Sequence, residues 1–223
     1  MDLVTSIIIF AISYVVISAV AGILVHELGH LLAARMLSIR VTGLSVGFGP
    51  ELIGFTDQYG ARWKLAPLLI GGSCDFSDQT SKGAKGPETT NKRLHPLREA
   101  SPLERAFVYA AGPVFNLAFT ALLWVAIAYH RVLLPFISDD EAVFGLPAFL
   151  AKFSISLAYF NLIPIPPLDG GQLVLIGLEA LRGSTIANEE QLIRAGSWIT
   201  AVLTIVMLVL FLPRVINGTL WNF

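Results

Sequence analysis

The sequence predicts an all-α polytopic membrane protein, with about four transmembrane helices and a membrane-associated β-hairpin or small sheet after the first. Three observations carry that expectation. Hydrophobic residues fill 55% of the 223 positions and charged residues only 14%, where a soluble domain carries about 25% charge; mean hydropathy is +0.70. Apolar runs close to the roughly 20 residues that cross a bilayer recur along the chain. Between the first two runs lies a stretch of strand-like alternation punctuated by glycine. The length allows one compact membrane domain over 1–223 and no large soluble one. A net charge of -1 removes the electrostatic case for nucleic acid, and a single cysteine, Cys74, excludes an intrachain disulfide and a Cys-rich metal site.

Segment one spans Leu3 to Leu37 and is uncharged from Leu3 to Val25. It has no basic leading region and its apolar run is long for a cleaved leader, so it is expected to remain as a span. Residues 41–72 interleave Val41, Leu44, Val46 and Phe48 with small or polar residues. They turn at Asp57-Gln58-Tyr59-Gly60 and resume an extended apolar pattern from Arg62 to Ile70. This is the hairpin or small sheet, placed at the membrane boundary; an irregular surface loop competes with it. Residues 73–102, rich in Lys, Gly, Pro, Ser and Thr, are expected to form a mobile aqueous loop with His95 solvated.

Segment two covers 103–129. Ser101-Pro102-Leu103-Glu104 supplies an N-cap, a first-turn proline and an early carboxylate. Inside it, Ala110 to Asn116 brings small residues that admit a neighbouring helix closely, a proline that frees a carbonyl, and a buried amide. A packing kink with a satisfied Asn116 is the competing reading. After a short acidic connection, segment three covers 144–163, with Lys152 snorkelling or facing a polar cavity. It must stop at Asn161-Leu162-Ile163-Pro164-Ile165-Pro166-Pro167, because such prolines break a helix. A helix resumes to about Leu181 with Asp169 at its N-cap, and segment four covers 195–212.

Nine Lys and Arg lie from Arg35 to Arg98, whereas only Arg131 separates segments two and three. The positive-inside rule places the first loop in the cytoplasm and both termini outside. The end of segment one, the Ala111–Asn116 stretch and the Asn161–Asp169 stretch then fall at similar depth in the cytoplasmic leaflet, which favours one shared site.

At that end of segment one stands Val25-His26-Glu27-Leu28-Gly29-His30. On a helix His26 and His30 project from one face within reach of one metal ion. Glu27, turned roughly 100° away, is placed to stand beside the ion and take a proton from water. Gly29 is expected to keep the helix thin where a substrate approaches. Ionisable groups at this depth are costly and mark function. A catalytic zinc takes three protein ligands and leaves one position open. No third histidine follows His30; Asp169, between apolar residues and two glycines and at matching depth, is the candidate, with helix capping as its competing role. Two imidazoles and a carboxylate suit one Zn2+ better than magnesium or calcium, and leave iron(II) open. A helical substrate must be unwound to expose its carbonyls; the glycine-rich hairpin and the proline stretch offer an edge for an extended segment.

Taken together these motifs resemble the site-2 protease family of intramembrane zinc metalloproteases. They are His-Glu-Leu-Gly-His at 26–30, Ser-Val-Gly-Phe-Gly-Pro at 45–50, Gly71-Gly72, Ala-Gly-Pro-Val-Phe-Asn at 111–116 and Asn-Leu-Ile-Pro-Ile-Pro-Pro-Leu-Asp-Gly-Gly at 161–171. The match is closest in motif to the bacterial envelope-stress proteases that cleave anti-sigma factors. The resemblance implies that His26, His30 and Asp169 bind zinc, that Glu27 is catalytic, and that the glycine-rich stretch forms a membrane-associated β-structure. It also implies a substrate-binding or site-supporting role for Asn161; Pro164, Asn116, Gly112, Gly47 and Gly49 are taken as candidates for the same. The expected substrates are transmembrane proteins or signal peptides within the lipid bilayer of a bacterial inner membrane. Those relatives carry PDZ domains between the second and third spans, where this chain has only His130 to Glu141, and no CBS domain is expected. Regulation is therefore assigned to the 73–102 loop, a partner protein or prior cleavage. Two other classes compete: a metal-binding transporter or sensor, for which Glu27 has no use, and a catalytically silent chaperone, which the intact residue set argues against.

Overall fold

The computed structural model of the chain describes residues 2–76, 94–133, 141–184 and 189–216. Helix α1 runs Leu3–Met36. The Asp2 carboxylate accepts the Thr5 amide hydrogen at 3.0 Å, which satisfies one of the free donors at the helix start. At the other end Ser38 has a positive φ of 61°. The chain reverses there, and Ile39 bridges to His95.

Four strands follow: β1 Gly43–Phe48, β2 Ile53–Thr56, β3 Arg62–Leu65 and β4 Leu68–Asp75. They form one mixed sheet in the order β2-β3-β1-β4. β2 and β3 make an antiparallel hairpin around the expected turn. Asp57 Oδ1 accepts the amide hydrogens of Tyr59 and Ala61 at 2.9 and 3.0 Å. A hairpin alone is only half of the sheet, because β1 pairs in parallel with β3 and antiparallel with β4. Alternation tells which residues extend, not which edges meet. The buried Leu44 and Val46 place β1 in the interior against α1.

The expected aqueous loop is corrected at both ends. Ser73 to Asp75 belong to β4, and Cys74 sits opposite Leu44 and packs on the core. The His95 backbone donates to Ser38 and accepts from Arg40, so the chain there is held against the end of α1, with the His95 side chain half-buried. The rest of that loop, 77–93, and the connection 134–140 lie outside the described residues.

Helix α2 spans Pro102–Leu133. Ser101 and Glu104 form the reciprocal cap that the sequence implies: the Ser101 amide donates to Glu104 Oε2 at 2.8 Å, and the Glu104 amide donates to Ser101 Oγ at 3.3 Å. Helices α3 (Glu141–Asn161), α4 (Asp169–Arg182) and α5 (Glu189–Ile216) complete the described chain. Two stretches, Ile12–Met36 and Pro102–His130, are long and apolar enough to cross a membrane. Helices α3 and α5 lie over expected segments three and four, but neither contains a described stretch that meets that measure. Lys152, on α3, is exposed.

Helix α1 is central, flanked by α2, α3 and the β1–β4 side of the sheet. Ile23, Leu31, Leu44, Val46 and Val108 fill the space between them. The Phe153 ring occupies the position a side chain at residue 22 would take, the close small-residue packing expected between helices in lipid. Thr120 Oγ1 donates to the Ala151 carbonyl and Ser154 Oγ to the Asn116 carbonyl, each at 3.2 Å. An Arg105–Glu179 ion pair ties α2 to α4.

Candidate metal centre

His26 and His30 stand one turn apart on α1, and Asp169 opens α4. The structure brings all three together. His26 Nε2 lies 3.0 Å from Asp169 Oδ2, His30 Nε2 lies 3.4 Å from Asp169 Oδ1, and the two Nε2 atoms are 3.2 Å apart. Each residue is buried, at 5, 5 and 8% exposure, so solvent does not explain the convergence of three polar groups.

These separations fit a metal ion. Ligands at about 2.0–2.1 Å from a tetrahedral zinc stand about 3.3 Å from one another. Asp169 Oδ2 also lacks a hydrogen-bond donor among the described residues despite its nearness to His26. A buried carboxylate oxygen with no hydrogen bond, facing two imidazole nitrogens that are within hydrogen-bond distance of each other, is one that a shared cation would bind. The donor set of two imidazoles and one carboxylate suits zinc.

The surroundings hold the ligands in place. His30 Nδ1 donates to the Val108 carbonyl at 2.8 Å, which fixes the ring and leaves Nε2 free toward the cluster. Asn116 is fully buried and its Nδ2 lies 3.3 Å from His26 Nδ1. Between them on the same face of α2 sits Gly112. A methyl there would come within 2.6 Å of His30 Cε1 and 2.8 Å of His26 Cε1. Glu27 is 4% exposed, and its Oε2 has no hydrogen-bond partner among the described residues. Its Oε1 fills the space that a side chain on Gly72 of β4 would occupy, 2.7 Å from that position. The Glu27 carboxylate thus lies beside the His–Asp cluster and under β4, where an ionisable side chain is within range for proton transfer.

Two expectations change. The missing side chain of Gly29 makes room for α2, not for a substrate: its Cβ would lie 2.5 Å from the Ala111 carbonyl oxygen. Asp169 is the first residue of α4 rather than its N-cap, which is Leu168. The carboxylate turns to the histidines instead of the helix amides. Nothing in the local sequence separates these roles, since a carboxylate is favoured throughout a helix's first turn.

No hydrogen bond among the described residues joins the remaining candidates, Asn161, Pro164, Gly47 and Gly49, to the cluster. Asn161 Nδ2 donates back to the Leu157 carbonyl of its own helix at 3.0 Å. Pro164 is exposed in the loop between α3 and α4. That loop folds onto α4, where Gly170 and Gly171 leave room for the backbone of Leu162 and Pro166. Gly47, at φ 87°, marks the register shift between β1 and β4, and Gly49, at φ 111°, ends β1. Both shape the sheet. The partnership of Val108 with His30 escaped the sequence, because a backbone carbonyl has no residue signature.

The model of peptidase family M50 matches residues 14–145 and 137–209. Three similar proteins carry the name "putative zinc metalloprotease". One from Agrobacterium fabrum is 38% identical over 111 residues, which cover 47% of this chain and 29% of the relative. One from Mesorhizobium japonicum is 36% identical over 109 residues, covering 46% and 30%. One from Bartonella henselae is 32% identical over 133 residues, covering 54% and 36%. The matches thus span about a third of the length of these relatives.

Proposed function

The chain belongs to peptidase family M50, the site-2 protease family, and from that premise we propose that it hydrolyses peptide bonds in or near the transmembrane segments of membrane proteins. The observation that carries this reading is the buried His26–His30–Asp169 cluster with the Glu27 carboxylate beside it, whose Oε2 has no hydrogen-bond partner among the described residues, on a helix apolar enough to cross a membrane.

His26, His30 and Asp169 would hold one zinc ion. Such an ion supplies Lewis acidity toward water and a peptide carbonyl. Glu27 takes the proton of the attacking water on its carboxylate and hands it to the leaving amine. Burial keeps the carboxylate away from bulk solvent. The edge of β4 beyond β1 supports a way to bind substrate. Its side without a strand partner among the described residues offers backbone groups to an extended segment, and Gly72 brings β4 against Glu27. A helical substrate must be unwound to reach it. Anti-sigma factors and remnant signal peptides are the substrate classes that the motif resemblance supports. The distribution of Lys and Arg supports a bacterial inner membrane orientation with both termini outside and the site toward the cytoplasmic leaflet.

The test is Glu27→Gln in the full chain in lipid nanodiscs. Cleavage of a transmembrane reporter is expected to vanish while zinc content stays near one per chain. Unchanged cleavage refutes the role of Glu27. Zinc bound with no proteolysis by the wild type against any reporter favours a transporter or sensor.

A further inference from the structure

Each imidazole of the cluster has a second nitrogen, and the two second nitrogens meet different groups. His30 Nδ1 faces a carbonyl, which only accepts. Its proton is therefore on Nδ1, and Nε2 keeps the lone pair that a metal needs. His26 Nδ1 faces the side-chain amide of Asn116, a group that either donates or accepts. With the amide nitrogen toward the ring, Nδ1 must accept and the His26 proton must sit on Nε2. That proton would point into the cluster, 3.0 Å from Asp169 Oδ2 and 3.2 Å from His30 Nε2, and would block ligation.

Turning the amide half a turn exchanges its oxygen and nitrogen with almost no change of shape. Oδ1, which has no partner among the described residues, then accepts from His26 Nδ1–H. The number of hydrogen bonds is the same in both orientations. What separates them is whether His26 Nε2 presents a lone pair or a proton to the cluster. Asn116 is fully buried, so water does not replace it in this task. Its backbone is also held, with its carbonyl accepting from Ser154 Oγ on α3. Val108, Gly112 and Asn116 are spaced by four on one face of α2. The three serve the histidines in turn: a carbonyl for His30, an absent side chain for both rings, an amide for His26.

We propose that Asn116 is a positioning residue whose amide oxygen accepts the Nδ1–H of His26 and so holds the tautomer that directs the Nε2 lone pair at the metal. This rests on the metal-site reading above.

The experiment measures zinc affinity by chelator competition on the full chain in nanodiscs, with circular dichroism of the metal-free protein as a folding control. Asn116→Ala and Asn116→Leu are expected to weaken zinc about 10–100-fold, the usual loss when a ligand's outer hydrogen bond is removed. Asn116→Asp keeps an oxygen acceptor and has no N–H, and is expected to stay within a few-fold of wild type. Wild-type affinity in Asn116→Ala overturns the positioning role and leaves the metal site standing. Equal loss in Asn116→Asp and Asn116→Ala overturns the acceptor role. Absence of zinc binding by the wild type overturns both. If the apolar variants do not fold, 15N NMR of the histidine-labelled wild-type holoenzyme decides: a proton on His26 Nδ1 supports the proposal, and a proton on Nε2 overturns it.

Discussion

Gly112→Ala should uncouple metal binding from folding. Its new methyl would stand 2.6 Å from His30 Cε1 and 2.8 Å from His26 Cε1, where ordinary contact begins at 3.4 Å. The His30 ring, whose Nε2 lies closer still to the new methyl, must retreat by more than about 0.8 Å, against a tolerance of about 0.2 Å for a zinc ligand. It cannot swing freely, because Nδ1 is anchored on the Val108 carbonyl. Removing an anchoring hydrogen bond alone costs 10–100-fold in affinity, so a loss of at least about 100-fold is expected here, or about 2.7 kcal/mol. The fold should suffer less. Overpacking costs about 1–3 kcal/mol, and replacing a mid-helix glycine by alanine returns about 1 kcal/mol. The net, about 0–2 kcal/mol, should lower the melting temperature of the metal-free protein by only a few degrees. Gly177→Ala is the control, since a methyl there meets nothing within 4 Å; zinc affinity should be unchanged. The assay pairs chelator competition with a thermal melt of each variant. Gly112→Ala with wild-type zinc affinity would refute the claim that this glycine exists to admit the two imidazoles.

Three further outcomes are expected. Gly72→Ala places a methyl 2.7 Å from Glu27 Oε1 and 2.5 Å from the Ser45 carbonyl oxygen, so kcat should fall at least 10-fold with zinc content unchanged; equal turnover would separate β4 from the acid-base group. At Asp57, burial pushes the carboxyl pKa up, but donation from the Trp63 indole, the Arg35 guanidinium and the Ala61 and Tyr59 amides outweighs it and holds the pKa below its usual 3.8. A lowered folded-state pKa gives stability that is present above the unfolded value and is lost as pH falls through the folded one. The melting-temperature deficit of Asp57→Asn should therefore be full near pH 7 and shrink below about pH 4; a pH-independent deficit would assign the effect to packing. Finally, a cysteine at Ser81 in a Cys74→Ala background should react with an impermeant thiol reagent only from the cytoplasmic side, and labelling from outside would reverse the proposed orientation.

What local chemistry encodes was legible in the residues. The spacing of His26 and His30 needs only helical periodicity, and the stop after Asn161 needs only proline's missing N–H. The cap at Ser101 and Glu104 and the turn at Asp57 to Gly60 depend on residues within four positions of one another. The sheet was half legible, because extended residues are marked by alternation whereas the parallel pairing of β1 with β3 joins strands across β2. Gly29 was misassigned for the same reason: a missing side chain announces a close approach but not what approaches, and here it is the α2 backbone.

The sequence by itself determined that apolar helices carry a two-histidine, one-glutamate motif, because those properties repeat within a turn or two of chain. Only the tertiary structure decided that Asp169 turns from its own helix to meet both imidazoles, that Val108 and Asn116 hold their far sides, and that Gly72 covers Glu27. Each of those contacts joins residues at least 45 positions apart, and side chains that distant meet only when the packing of α1, α2, α4 and β4 brings them to one place.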